Sequence, residues 1–343
     1  MKKIAVLTGG GDAPGLNSAI RAVVVRSSQI GWQVLAVRNG WAGLLNGEIS
    51  EFPLEEAEDL EMVGGTILGT SRTNPYKEDK GPERVKENLK KFGIDVLIAI
   101  GGEDTLGVAN KLTQEGVPIV AIPKTIDNDL SVTDYCIGFN TAVERAAEAV
   151  ENLHTTAKSH SRTLVVEIMG RHAGWITLQA GIAGGAHMIL IPEVPFSINE
   201  VAEIVNGRKQ KGKFYSIIAV SEGAKPADEE KFALQTEELD SFGHVRLGGI
   251  AKVLAKEIEE RTGAETRSVI LGHLQRSGPP SAFDRVMATR VGVHAVELVQ
   301  KEDYGKMVCV KGEEVTSVNV GLAVGELKTV SPELYKMARI FFG

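Results

Sequence analysis

The residues best placed for chemistry stand in the stretch Pro123-Lys124-Thr125-Ile126-Asp127-Asn128-Asp129. Thr125, Asp127 and Asp129 are set two apart, a spacing that puts side chains on one face of an extended chain. A carboxylate there can take a proton from an attacking hydroxyl. Lys124 can neutralise charge on a transferring phosphoryl group. The plain alternative is a turn and capping cluster, because Asp and Asn favour such positions. Two Asp beside a Lys, directly after an apolar run, favour chemistry. Gly101-Gly102-Glu103-Asp104-Thr105 adds two adjacent acids. They suit a divalent metal held together with phosphate oxygens, or more simply a helix N-terminus. Residues 9–15, opening Gly9-Gly10-Gly11-Asp12, lie between an apolar run and a helical pattern. Such a loop is a natural phosphate seat, with an ordinary βα turn as the alternative. It is neither the P-loop pattern, since no Gly-Lys-Ser/Thr follows, nor the dinucleotide fingerprint. Arg162, Arg171, Arg267, His273 and Arg276 lie near the ends of further apolar runs. Arginine forks suit phosphate, although each of these alone reads as a surface arginine. His154, His160, His172, His187 and His244 show no metal-ligand spacing.

Side chains this far apart in sequence need a scaffold that gathers them. Short β-branched runs at 3–8, 33–37, 96–100, 119–122, 164–169, 188–191, 215–220 and 268–271 alternate with helical patterns at 16–28, 106–115 and 141–154. That alternation predicts an α/β protein with mostly parallel sheets and helices on both faces. Ligands of open α/β sheets bind outside the carboxyl ends of the strands. The polar or glycine-rich ends at Gly9, Gly101, Lys124, Gly170-Arg171, Ser221-Glu222-Gly223 and Gly272-His273 are therefore expected to line one or two clefts. A domain boundary is signalled weakly near 136–140, and residues 224–243 read as a surface excursion.

With 343 residues, about two domains are expected. An apolar share of 43% and a charged share of 24% are those of a globular protein. A net charge of −7 does not suggest a nucleic-acid partner. Two distant cysteines, Cys136 and Cys309, exclude a disulfide framework and a four-cysteine zinc site, and fit a reducing cytosol. The opening apolar run stops at Thr8, too short for a signal-peptide core, and no stretch approaches a membrane span. A cytoplasmic protein without membrane or nucleic-acid partners is expected. The 38 glycines call for many tight turns or close backbone approaches. Spacing alone thus points to an α/β enzyme that binds phosphates with a divalent metal and transfers a phosphoryl group.

Four motifs then carry a resemblance: Gly9-Gly10-Gly11-Asp12-Ala13-Pro14-Gly15-Leu16-Asn17, Pro123 to Asp129, Met169-Gly170-Arg171, and Gly272-His273-Leu274-Gln275-Arg276. Together they resemble the 6-phosphofructokinase family, in order and over nearly the whole chain. The resemblance implies two α/β domains with the active site in the cleft between them. Residues 1–138 plus about 275–325 would form the phosphoryl-donor domain. Residues 139–274 plus about 326–343 would form the sugar-phosphate domain. The implied reaction phosphorylates the 1-hydroxyl of fructose 6-phosphate. Asp127 matches the general base, with Thr125 and Asp129 as its neighbours. Glu103 matches the acid associated with Mg2+, normally Asp. Arg171, with the backbone of Met169 and Gly170, matches transition-state and sugar contacts. Glu222 matches a sugar-hydroxyl ligand, and His273 and Arg276 match ligands of the 6-phosphate. Arg162 and Arg267 match arginines lent by a neighbouring subunit, which implies a homo-oligomer, a dimer or tetramer.

Asp104 and Lys124 bear on the donor. ATP-using members of the family usually have Gly at the first position and commonly at the second, so this pair resembles the pyrophosphate-using branch. Two unit charges ~4 Å apart interact by about 4 kcal/mol at an effective dielectric of 20. Repulsion of an ATP α-phosphate by Asp104 on that scale gives roughly thousand-fold discrimination. Lys124 supplies positive charge for a small, highly charged donor. Gly10, Gly11 and Arg72 complete the implied donor-binding set, and Tyr76 and Lys77 differ from the usual nucleotide surroundings. Arg21, Lys211 and Lys213 align with basic effector ligands of bacterial ATP-using relatives. Val25, His154 and His187 stand where charged residues are usual, so weak or absent control by ADP and phosphoenolpyruvate is expected. The rival readings are an ATP-dependent enzyme and a kinase also acting on sedoheptulose 7-phosphate. A non-catalytic sensor on the same fold leaves Asp127, Glu103 and Lys124 unexplained. A lipid or NAD kinase leaves the Asp127 and His273 segments unexplained.

Overall fold

The computed structural model describes residues 1–227 and 249–343, so residues 228–243 of the expected excursion lie outside the described residues. In chain order the strands are β1 (Lys3–Thr8), β2 (Gln33–Val37), β3 (Ile49–Glu51), β4 (Val96–Gly101), β5 (Ile119–Pro123), β6 (Thr163–Ile168), β7 (Met188–Leu190), β8 (Ser216–Ser221), β9 (Thr266–Ile270), β10 (Lys306–Lys311) and β11 (Glu314–Asn319). The helices are α1 (Leu16–Gln29), α2 (Gly40–Asn46), α3 (Gly81–Lys91), α4 (Glu103–Gln114), α5 (Phe139–His160), α6 (Trp175–Ala183), α7 (Ile198–Gln210), α8 (Ile250–Thr262), α9 (Ala282–Gln300) and α10 (Pro332–Arg339).

The chain forms two compact units, Met1–Thr141 with Arg276–Glu326, and Ala142–Gln275 with Leu327–Gly343. In the first, seven strands run in the order β11-β10-β5-β4-β1-β2-β3. The five middle strands are parallel. The edge strands β3 and β11 are antiparallel. Alternate residues of one strand serve opposite faces. Ile4 and Val6 of β1 join a core with Leu16, Ile20 and Val23 of α1 and Val291, Ala295 and Val299 of α9. Ala5 and Leu7 join the opposite core with Leu44 of α2, Val85 of α3 and Leu112 of α4. Strands buried on both faces read as unbroken apolar runs, which is why β1, β4 and β5 were visible in the sequence. The order β5-β4-β1 places the loops after Pro123, Gly101 and Thr8 side by side.

The second unit holds the parallel sheet β7-β8-β6-β9. Val165, Ile218 and Val220 pack against α7 and α8. Ile189 packs on the other side with Leu178 of α6 and Tyr335 of α10. The order β8-β6-β9 puts Glu222, Gly170 and His273 at neighbouring carboxyl ends. The helices differ from expectation at their starts and ends. α4 begins at Glu103 rather than 106, and α5 runs from Phe139 to His160 rather than over 141–154. The start of α5 is fixed from a distance: buried Asp284 accepts hydrogen bonds from the Gly138 and Thr141 backbone N–H groups and the Thr141 hydroxyl.

Candidate active site

After β1 the chain passes into the glycine loop. The N–H of Gly9 donates to Ile100 O at 2.9 Å, and that of Gly10 to Ser71 O at 3.1 Å. Thr70 Oγ1 donates to Gly10 O at 2.6 Å. These two N–H groups, expected to face an anion, are thus taken up by neighbouring backbone, and the loop's contribution is closeness instead. A Cβ on Gly9 would stand 2.4 Å from Thr105 Oγ1 of α4, and one on Gly11 would stand 2.9 Å from Arg276 Nη1. The bare loop lets two polar side chains reach its backbone. Lys124 does the same: a Cβ on Gly10 would lie 3.5 Å from its Nζ. The Lys124 ammonium donates to Gly11 O. Arg276 Nη1 donates to Asp12 O at 2.7 Å. Arg72 follows Ser71 on the segment that binds Gly10.

Lys124 is only 3% exposed. Burial, then the nearby Arg276 charge, pushes its ammonium down to about 7, with Asp12 and Asp127 opposing the shift. Lys124 is thus a buried cation held against glycine backbone.

Residues 125–129 form a turn rather than the extended run the spacing suggested. Asn128 adopts φ +54°, which bends the chain. Its Oδ1 accepts from the Cys136 N–H at 2.9 Å and its Nδ2 donates to Asp134 O at 3.0 Å. The burial pattern nevertheless alternates: Ile126, Asn128 and Leu130 are buried, while Thr125, Asp127 and Asp129 are half-buried. Thr125 Oγ1 accepts from the Asp127 N–H at 3.2 Å, and its hydroxyl bonds the Asp129 carboxylate. Burial raises the Asp129 carboxyl, and the Asp127 charge and then Glu103 push it the same way.

Carboxylates that repel one another fit a cation. Among the described residues no group of three His, Cys, Asp or Glu side chains forms a ready metal cage. Mg2+ needs none, because it binds through one or two carboxylates together with substrate phosphates. Glu103 fits that part. It lies on the first turn of α4, with its Oε1 accepting from the Gly325 N–H at 3.1 Å. Asp104 stands beside it, exposed, where acids also complement the helix dipole. Tyr76 turns to the far end of α4, where its hydroxyl donates to Glu115 at 2.7 Å and Lys111 lies 5.0 Å from its ring centre.

In the second unit, Met169, Gly170, Arg171 and Glu222 come together. Gly170 takes φ +135°, open to glycine but strained for other residues. The Ser221 hydroxyl holds Gly170 O at 2.7 Å, and Gly170 N lies 3.5 Å from Glu222 Oε1. A Cβ on Gly223 would stand 1.9 Å from Arg171 O. Gln275, which the sequence reading left without a role, is buried and accepts from the Met169 N–H at 3.2 Å. Its place beside His273 and Arg276 in one motif was the available clue. His273 is exposed on the 3-10 turn Gly272–Arg276.

Arg162 and Arg267 stand elsewhere. Arg162 precedes β6 and Arg267 is the second residue of β9, so both lie at amino ends. Each pairs with Glu265 at 2.8 Å. Strands rise about 3.3 Å per residue, so the six residues of β6 separate Arg162 from the Arg171 end by nearly 20 Å. The unit does not bring these arginines to Arg171. Of the aligned effector positions, Arg21 is paired with Glu61 at 3.0 Å. His187 is held neutral at about 3 by burial and by Arg208.

The phosphofructokinase family pattern matches residues 3–299. The chain belongs to the phosphofructokinase family. A pyrophosphate--fructose 6-phosphate 1-phosphotransferase of Amycolatopsis methanolica is 54% identical over 99% of this chain and 100% of its own length. An ATP-dependent 6-phosphofructokinase of Mycobacterium tuberculosis is 48% identical over 99% of this chain and 100% of its own length. The crystal structure of a pyrophosphate-dependent phosphofructokinase from Marinobacter aquaeolei superposes with a TM-score of 0.84 at 25% identity, covering 97% of this chain and 86% of that one. Relatives named for either donor are thus similar to this phosphofructokinase over its full length. Donor choice has to be read from individual side chains.

Proposed function

We propose that this phosphofructokinase transfers a phosphoryl group from pyrophosphate to the 1-hydroxyl of fructose 6-phosphate, giving fructose 1,6-bisphosphate and phosphate, reversibly. The observation that carries the donor is Lys124, a buried ammonium against the glycine loop, together with Asp104 on the first turn of α4. The sugar hydroxyl attacks the distal phosphorus in line, and Asp127 takes its proton. The bond from that phosphorus to the bridging oxygen breaks, and inorganic phosphate leaves with the bond's electrons. Lys124 and Arg171 hold the charge that gathers on the transferring and leaving groups. Glu103 would hold Mg2+, with Asp104 ordering the donor beside it; the metal, when bound, supplies neutralisation of the donor oxygens. Thr125, Asp129, Glu222 and the backbone of Met169 and Gly170 orient the sugar. His273 and Arg276 take the 6-phosphate, Arg276 exchanging its contact with Asp12 O to do so. Phosphorus NMR of a mixture of fructose 6-phosphate, pyrophosphate and Mg2+ tests the reaction. One orthophosphate and one sugar bisphosphate should appear per pyrophosphate consumed, and release of two orthophosphates without bisphosphate would contradict it.

Arg162 and Arg267, remote from Arg171 along their own strands, serve the site of a neighbouring subunit in a dimer or tetramer. Arg162→Ala and Asp127→Asn should each be nearly inactive alone. Co-expressed as hybrid oligomers, they should recover activity, because one hybrid site regains both native residues. No recovery would place Arg162 outside a shared site. The two cysteines are buried free thiols, which supports a reducing, cytoplasmic setting.

The lowered Lys124 gives a pH dependence of known sign. A lysine is charged below its pKa, so the positive seat is present below about 7 and is lost as pH rises through that value. Pyrophosphate favours the charged form, so its binding should take up a proton. KM for pyrophosphate should rise by up to about tenfold per pH unit above neutrality, one proton being linked. Lys124→Met, which shares the donor's own titration, should lack that component. Parallel profiles for the two proteins would remove Lys124 from donor binding.

A further inference from the structure

The loop that carries Arg171 is anchored at its far end by a carboxylate that lies outside the sequence motifs. Glu193 lies three residues after β7. Its two oxygens accept from the Gly174 N–H, Oε1 at 2.9 Å and Oε2 at 3.1 Å. Oε1 also accepts from the Val330 N–H at 2.9 Å. Gly174 is the N-cap of α6, so the carboxylate meets the positive end of that helix. The space around Gly174 is filled, since a Cβ there would stand 2.5 Å from Ile191 Cβ. At the near end the loop is fixed by Ser221 on Gly170 O. In its middle the Arg171 carbonyl fills the place of a Gly223 side chain. The segment holding Val330 is pinned as well, by Trp175 Nε1 donating to Lys328 O at 2.8 Å. Glu193 therefore joins three things: the end of the Arg171 loop, the start of α6, and the segment through Lys328 and Val330.

We infer that Glu193 is a positioning residue for Arg171, setting where the Gly170-to-Gly174 loop presents the guanidinium; the inference rests on the role proposed above for Arg171. A carboxylate suits this place because both its oxygens only accept. Glutamine has the same shape and its one carbonyl oxygen can still accept at the Oε1 place, but its NH2 would replace Oε2 and set two donors against the Gly174 N–H. Displacement of a catalytic group by about 1 Å costs about 10²-fold in rate.

The test is a set of kcat and KM measurements on Glu193→Gln, Arg171→Ala and the double variant, with thermal unfolding of each. Glu193→Gln should lower kcat by roughly 10- to 100-fold, with KM for pyrophosphate unchanged. In the Arg171→Ala background the same change should cost nothing further, because the group it positions is gone. A purely structural role would lower the unfolding midpoint and slow both backgrounds equally, and that outcome overturns the inference. So does native kcat in Glu193→Gln. Native kcat in Arg171→Ala would instead remove the role of Arg171, and the inference with it. If Glu193→Gln does not fold, Glu193→Asp keeps the charge on a shorter stem; it should show the same kcat loss and the same silence beside Arg171→Ala, and native kcat in it overturns the inference too.

Discussion

Replacing Asp127 with Asn is expected to lower kcat by roughly 10²–10⁴-fold, the range for loss of a positioned general base. Asn keeps the shape, and the Asp127 backbone N–H that donates to Thr125 is untouched, so KM for both substrates should change little. The variant also has a second signature. The Asp127 charge helps to raise Asp129, so removing it should let Asp129 move back toward the ordinary carboxylate range. The acid limb of the residual rate should shift to lower pH accordingly. A kcat within a few-fold of the native value would take proton transfer away from Asp127.

The second large effect concerns the donor. Asp104→Gly with Lys124→Gly should shift the ratio of kcat/KM for ATP over pyrophosphate upward by roughly a thousand-fold or more. The shift combines repulsion removed from the nucleotide with attraction removed from the small anion. The single variants should act differently. Asp104 is exposed on the first turn of α4, so Asp104→Gly should chiefly relieve the exclusion of ATP. Lys124 is buried against Gly11 O, so Lys124→Gly should raise KM for pyrophosphate and lower kcat with it. An unchanged ratio in the double variant would mean that donor choice lies in other residues.

The sequence showed most strands that are buried on both faces, but not β10, whose short apolar run Met307–Val310 is closed by Lys306 and Lys311 although it serves both faces. β1, β4 and β5 are continuous apolar runs, and the loops after them contain most of the donor-side residues. β3 was missed because its three residues, one half-buried and two exposed, carry no pattern, and β11 because none of its six residues is buried. The start of α4 was placed late because Glu103 and Asp104 interrupt the apolar period before Leu106. The turn at 125–129 has the side-chain spacing of a strand, and only the left-handed Asn128 distinguishes the two. Arg162 and Arg267 were correctly read as lying near strand ends, but the end matters: both are amino ends, away from Arg171. Contacts made across long sequence distances left no local trace. Arg276 on Asp12 O, Gln275 on the Met169 N–H and Glu193 on the Gly174 and Val330 N–H groups all became visible only in the folded chain.

The most direct test of the account compares initial rates on fructose 6-phosphate with Mg2+, using pyrophosphate or ATP as donor at matched concentrations. The charges at Asp104 and Lys124 predict a kcat/KM for pyrophosphate larger by roughly three orders of magnitude. Equal values, or a preference for ATP, would leave Asp127 its role in proton transfer but contradict the assignment of donor choice to those two side chains.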